Sequence, residues 1–160
     1  ASKRFLPTIS AALEDPRADV KPMDAMVYIK AAKEEFDVAI VDSTDPVEFA
    51  AGLFESPFYR DIHNALKKDG MVVAQTESPF TDRNVVRDAF REMSSVFPVV
   101  RMYWGAMPTY PSGMWTYTVG SKTADPSLPL RPAPEGTKYY TSEIHRASFV
   151  LPPFVIDLLK

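Results

Sequence analysis

The chain has no cysteine and only two histidines, His63 and His145. Disulfides, thiolate nucleophiles, thiolate metal sites and a multi-histidine metal cluster are therefore excluded. Glycine is scarce, with six residues at 52, 70, 105, 113, 120 and 136, never closer than seven apart. A phosphate-cradling loop or dinucleotide fingerprint needs several glycines within about six residues, so neither is present. No apolar run approaches the roughly 20 residues that span a bilayer. Glu14, Asp15, Arg17 and Asp19 interrupt any apolar stretch in the first 30 residues, so a signal-peptide layout is missing. Neither sign of charge dominates: 18 Lys plus Arg against 21 Asp plus Glu give a net −3, without the basic excess of a nucleic-acid binder. The expectation is a soluble, cytoplasmic protein with no nucleic-acid or membrane partner.

What remains is ample for a core. Apolar residues make up 46% of 160, and charged residues 24%, which suits one globular domain spanning 1–160. The fifteen prolines are about double the usual share and cluster late. Residues 36–42 and 71–75 read as buried strands, the first ending in a carboxylate and the second in an amide. Between them, Ser56 and Pro57 look like an N-cap and first helical residue, and Phe58, Ile62, Ala65 and Leu66 recur at helical spacing. Lys67, Lys68 and Gly70 suit that helix's C-terminus. A second helix is expected from Asp82 to about Val96, then a strand at 99–104. Residues 115–121 alternate, which suggests an antiparallel or edge strand. Upstream, 18–22 reads as a short strand and 24–34 as a helix. Residues 122–138 read as a surface connection, and further helices are expected at 142–148 and 152–159. The order predicts an α/β sandwich around a mostly parallel sheet with an antiparallel C-terminal edge.

In such sheets ligands bind outside the carboxyl ends of the strands. Asp42, Ser43, Thr44 and Asp45 occupy such an end, and paired carboxylates there suit a cationic ligand. Capping or turn formation explains the same residues equally well. Gln75 ends the neighbouring strand, with Glu77 two residues on, and each read alone is a solvated loop residue. Pro108 to Gly113 form a stiff loop whose prolines hold Tyr110 in one pose. His145 reads as packing or helix surface, and most methionines read as core.

The motifs point to a family. Val-Asp-Ser-Thr-Asp-Pro at 41–46, Leu-Phe at 53–54 and Phe-Tyr at 58–59 resemble the spermidine synthase signature region. So do Ala-Leu-Lys-Lys-Asp-Gly at 65–70, Pro-Thr-Tyr-Pro-Ser-Gly at 108–113 and Lys-Tyr-Tyr-Thr-Ser-Glu-Ile-His-Arg-Ala-Ser-Phe-Val-Leu-Pro at 138–152. The resemblance implies a Rossmann-like, class I methyltransferase-like fold and transfer of an aminopropyl group from decarboxylated S-adenosylmethionine to putrescine. Decarboxylated S-adenosylmethionine is then a co-substrate, and no metal or redox cofactor is implied. By motif, Asp42 is the catalytic base, Asp45, Gln75 and Tyr110 line the amine site, and Ser43 and Thr44 lie against the substrates. Asp24 and Ala25 fall where the family has an aspartate-glycine pair that binds the adenine amino group. Trp115, just beyond the Tyr110 loop, either helps set the depth of the amine pocket or packs in the core.

The family pattern also begins earlier, with a small β-domain, a glycine-rich loop and a ribose-gripping acid. Here the first residues resemble the helix after that acid, so the chain reads as the C-terminal part of an aminopropyltransferase. Exposed sheet edge and apolar surface follow from that reading. It implies a cut piece of an enzyme, a partner chain supplying the N-terminal half, or a homo-oligomer. The alternative function is a non-catalytic subunit that keeps the amine-site residues; a related transferase using another amine is a third. Glu48-Phe49 replaces a glycine-proline pair and Ala25 a glycine, both narrowing the nucleoside pocket.

Overall fold

The computed structural model describes residues 1–43 and 52–160. Short helices α1 (Ser2–Phe5) and α2 (Pro7–Ser10) and a 3-10 turn (Ala11–Glu14) lead into α3 (Ala25–Ala31) and β1 (Phe36–Val41). Then come α4 (Ser56–Ala65), β2 (Leu66–Gln75), α5 (Arg83–Ser94), β3 (Val99–Ala106) and β4 (Met114–Ser121). Helices α6 (Ser142–Ser148) and α7 (Pro153–Leu158) follow the proline-rich connection, close to their expected positions.

The sheet order is β1-β2-β4-β3. β1 and β2 are parallel, with Val38 opposite Met71 and Val41 opposite Ala74. β4 is antiparallel to both β2 and β3, so three of the four strands run one way. The expectation of a mostly parallel α/β sheet holds in strand direction. The antiparallel strand is not the edge, however: β4 is inserted between β2 and β3, and β3 is the outer strand. The polar side of β4 misleads because it is buried and satisfied. Thr116 and Thr118 have no exposed surface, and both hydroxyls lie 3.2 Å from that of Thr76. Gly120 continues this side against α5, where a Cβ would stand 2.8 Å from the Phe97 ring.

Three local expectations are corrected. Residues 18–22 form no strand; a strand needs a hydrogen-bonding neighbour, and no described strand pairs there. The helix expected over 24–34 stops at Ala31, because the backbone turns extended at Ala32 and Glu34 and Glu35 donate to the carbonyls of Asn64 and Ala65. Lys67, Lys68 and Gly70 are not a helix terminus. β2 starts directly at Leu66, and the pairing with β1 jumps from Phe36–Leu66 to Val38–Met71, so residues 67–70 bulge out. Gly70 is needed because the bulge folds back on Leu66, whose Cβ would lie 2.8 Å from an added Cβ.

The main core joins Phe58, Tyr59 and Ile62 of α4, Leu66, Val72 and Ala74 of β2, and Met93 and Phe97 at the end of α5. Each fully buried apolar side chain contributes about 1.5–3 kcal/mol. A second cluster of Val86, Met102 and Val155 fastens α7 to α5 and β3. Met93 and Met102 are core, whereas Met23 and Met26 are exposed. β1, read as buried on both faces, packs Ala39 and Val41 inward but leaves Val38 57% and Ile40 77% exposed. Exposed apolar surface is what the sequence led one to expect, and here it is one face of the edge strand β1.

His63 lies with its ring edge on Phe97, centroids 5.1 Å apart. Burial, then the charge of Lys122, holds it below the usual imidazole value of 6.5, with Asn64 partly opposing. The unfolded chain therefore takes up this proton first as pH falls. Stability is expected to be full above pH 6.5 and to decline as pH drops toward the lower folded value. Urea midpoints of the protein and its His63→Gln variant across pH 5 to 8 check this, the variant showing the shallower decline.

Candidate active site

The carboxyl ends of β1 and β2 meet the beginning of β4 at one rim of the sheet, because β4 runs in the opposite sense. The Asp42 side chain is exposed just past the end of β1, and Ser43 follows, half-buried. Gln75 closes β2 and is nearly buried. Its Nε2 donates to the Ser43 carbonyl at 3.0 Å and to Glu77 Oε1 at 3.0 Å. Its Oε1 accepts from Trp115 Nε1 at 2.6 Å. Thr44 and Asp45 lie outside the described residues.

Aromatic side chains wall this rim. Tyr110 packs on Trp115 with ring centroids 4.4 Å apart. Its loop is tightly built, as its prolines suggest: Met107 N donates to Gly113 O, Tyr110 N to Met107 O and Gly113 N to Tyr110 O. Gly113 has φ +65, the left-handed region glycine enters freely. Tyr117, opposite Gln75 in the β2–β4 register, stacks on Tyr103 at 4.8 Å and 15°. Burial pushes the Tyr117 phenol up, and the Asp42 and Tyr110 charges add to it. Tyr103 behind it is pushed up to about 12, by burial and then by Tyr117. Both phenols are therefore neutral near pH 7.

Asp42, Ser43, Gln75 and Tyr110 thus lie at one rim of the sheet. Asp24 sits at the start of α3, where its Oδ1 accepts from Met26 N at 2.8 Å and Val27 N at 3.4 Å. Ala25 is the exposed first residue of that helix. Trp115 reaches the site through Gln75 rather than serving only as core. Glu77, read as solvated, is 3% exposed and holds φ +70. The Thr116 amide donates to the Glu77 carbonyl at 2.9 Å, and the Thr116 hydroxyl lies 2.9 Å from it. The alternation Trp115–Tyr117 was the available signal, since that pair shares a side of β4; Glu77 lies beyond the end of β2, so its spacing from Gln75 gave none. His145 is structural: its ring nitrogens bond Tyr140 Oη at 3.1 Å and the Pro126 carbonyl at 2.9 Å. Among the described residues, no three His, Asp or Glu side chains are grouped as a metal site requires. No helix among them is long and apolar enough to cross a membrane.

The sheet order and the rim of acid, amide and aromatic groups define a methyltransferase-like α/β fold. The Spermine/spermidine synthase domain matches residues 1–130, and the chain belongs to that family. It is 52% identical over 161 residues to the polyamine aminopropyltransferase of Shouchella clausii, covering 99% of this chain and 58% of that protein. The Bacillus subtilis polyamine aminopropyltransferase is 46% identical, with 99% and 58% covered. Among solved structures, a spermidine synthase in complex with the transition state analogue AdoDATO superposes with a TM-score of 0.89 at 43% identity, covering 99% of this chain and 56% of that one. The Thermotoga maritima spermidine synthase gives 0.87 at 44%, with 99% and 55% covered. The chain therefore spans under three-fifths of the length of these relatives.

The Thr116 hydroxyl shares its proton between the carbonyls of Glu77 and Thr76, at 2.9 and 3.1 Å. Thr116→Val keeps the shape and removes that donor. It is expected to lower stability by about 1–2 kcal/mol, measured by urea unfolding, while Thr116→Ser retains most of it.

Proposed function

We propose that the protein transfers an aminopropyl group from decarboxylated S-adenosylmethionine to putrescine, giving spermidine and methylthioadenosine. The observation that carries this reading is the Asp42 carboxylate, exposed at the strand end beside a nearly buried Gln75 and the aromatic rings of Trp115, Tyr110 and Tyr117. Putrescine and the donor's sulfonium both bring positive charge. Carboxylate and aromatic faces offset the cost of desolvating it.

The attacking ammonium of putrescine gives one proton to Asp42, and the neutral nitrogen so formed attacks the propyl carbon bonded to sulfur. The carbon–sulfur bond breaks with its electron pair going to sulfur, which leaves as a neutral thioether. The new secondary nitrogen keeps its two remaining protons and carries the positive charge that the sulfonium loses. No acid is needed for the leaving group, so alignment and fixed charge supply most of the rate. In this reading Tyr110 and Asp45 face the amine, Gln75 borders its site, and Ser43 and Thr44 lie beside the substrates. Asp24 and Ala25 meet the adenine; a capping carboxylate keeps further acceptor sites for an amino group.

The exposed β1 edge and the partial span of the relatives bear on the test. Methylthioadenosine release is measured with the chain alone and with the chain joined to the part of the Shouchella clausii relative outside the match. Release by the joined protein is the expected result. A folded joined protein that releases none, and binds neither methylthioadenosine nor putrescine by calorimetry, refutes the proposal; amine binding without release favours the non-catalytic alternative.

Asp42→Asn in the active protein is expected to lower kcat by about 100-fold or more and leave the putrescine KM within about threefold. Tyr110→Phe should leave kcat near its starting value and raise the putrescine KM by about threefold to tenfold. Steady-state kinetics with putrescine varied check both.

A further inference from the structure

The ladder between β1 and β2 ends at the pair Val41–Ala74. Asp42 and Ser43 lie beyond it, and the next tie across is made by a side chain, from Gln75 Nε2 to the Ser43 carbonyl at 3.0 Å. An amide nitrogen has two hydrogens. The other is directed at Glu77 Oε1, also at 3.0 Å. Both donors of Gln75 are therefore engaged within the protein. On the acceptor side, Oε1 receives the Trp115 indole N–H at 2.6 Å and lies 3.4 Å from the Glu77 amide nitrogen.

The indole fixes which way round this amide lies. An indole N–H can only donate, so its partner must be the amide oxygen, and the nitrogen is turned toward Ser43 and Glu77. Glu77 is held for this contact by an unusual backbone. Its φ of +70 is uncommon for a residue with a side chain, and the Thr116 amide secures its carbonyl.

We infer that Gln75 is a positioning residue: oriented by Trp115 and Glu77, its amide pins the Ser43 carbonyl and thereby the Asp42 carboxylate at the end of β1. Its kinetic consequence rests on the proposed aminopropyl transfer, whereas the hydrogen-bond geometry does not. A direct amine ligand would chiefly set KM. A group that aims the proton acceptor chiefly sets kcat.

The test uses Gln75→Met, which keeps length and loses the amide, Trp115→Phe, which keeps a ring against Tyr110, and the double variant. In the joined, active protein, Gln75→Met is expected to lower kcat about tenfold with the putrescine KM within about twofold. Trp115→Phe should lower kcat by a smaller factor, and the double variant should match Gln75→Met, because Trp115 acts through Gln75. A putrescine KM raised about tenfold with kcat retained would make Gln75 a direct ligand, and multiplying effects would make Trp115 independent; either overturns the inference.

A second readout does not depend on the reaction. The chain has two tryptophans, so its two indole N–H resonances can be assigned by Trp115→Phe. In Gln75→Met the Trp115 resonance is expected to shift and its hydrogen to exchange faster, while that of Trp104, which donates to the Val150 carbonyl, stays in place. If wild type shows no transfer, the functional reading fails and this measurement decides the geometry. An unmoved Trp115 resonance would sink it.

Discussion

β4 runs against the direction of both its neighbours. β1 and β2 finish at one rim with Val41 and Gln75, and β4 begins at that rim with Met114. Trp115 and Tyr117 therefore stand beside the last residues of β2. A parallel strand in this place would bring its final residues there instead, far from the loop that carries Tyr110. The antiparallel turn from β3 into β4 is also short enough to be built from consecutive backbone hydrogen bonds within residues 107–113. Direction of one strand thus sets both the aromatic wall and the stiffness of the loop above it.

Much of this was legible from residue patterns, and the failures have physical causes. β1, α5, β3 and α6 carry strong periodicity and clear ends, and they form close to where it places them. Lys67, Lys68 and Gly70 read as a helix terminus because basic residues followed by glycine are the same letters a bulge uses; only the clash with Leu66 distinguishes them. The threonines of β4 look solvent-facing because hydropathy does not register hydroxyls that satisfy one another. Gln75 and Glu77, each read alone, look like solvated loop residues, yet both are buried and hydrogen-bond each other. The site roles came from motif resemblance, since no spacing rule reveals that Trp115 reaches across to Gln75.

The free side of β1 is the other consequence of the topology. Val38 and Ile40 alternate with the inward-facing Ala39 and Val41, so the strand is apolar on both faces but covered on one. Exposed β-branched residues on an edge strand favour pairing with further chain. A chain spanning 58% of its relatives' length leaves room for that covering in them.

The backbone ladder between β2 and β4 is continued past Gln75 by the hydroxyls of Thr76, Thr116 and Thr118, none of which carries charge. Ionic strength screens attractions between charges and leaves contacts of this kind largely alone. These hydroxyl contacts are therefore weakly sensitive to salt. A change of charge above them would alter the local field without loosening these contacts.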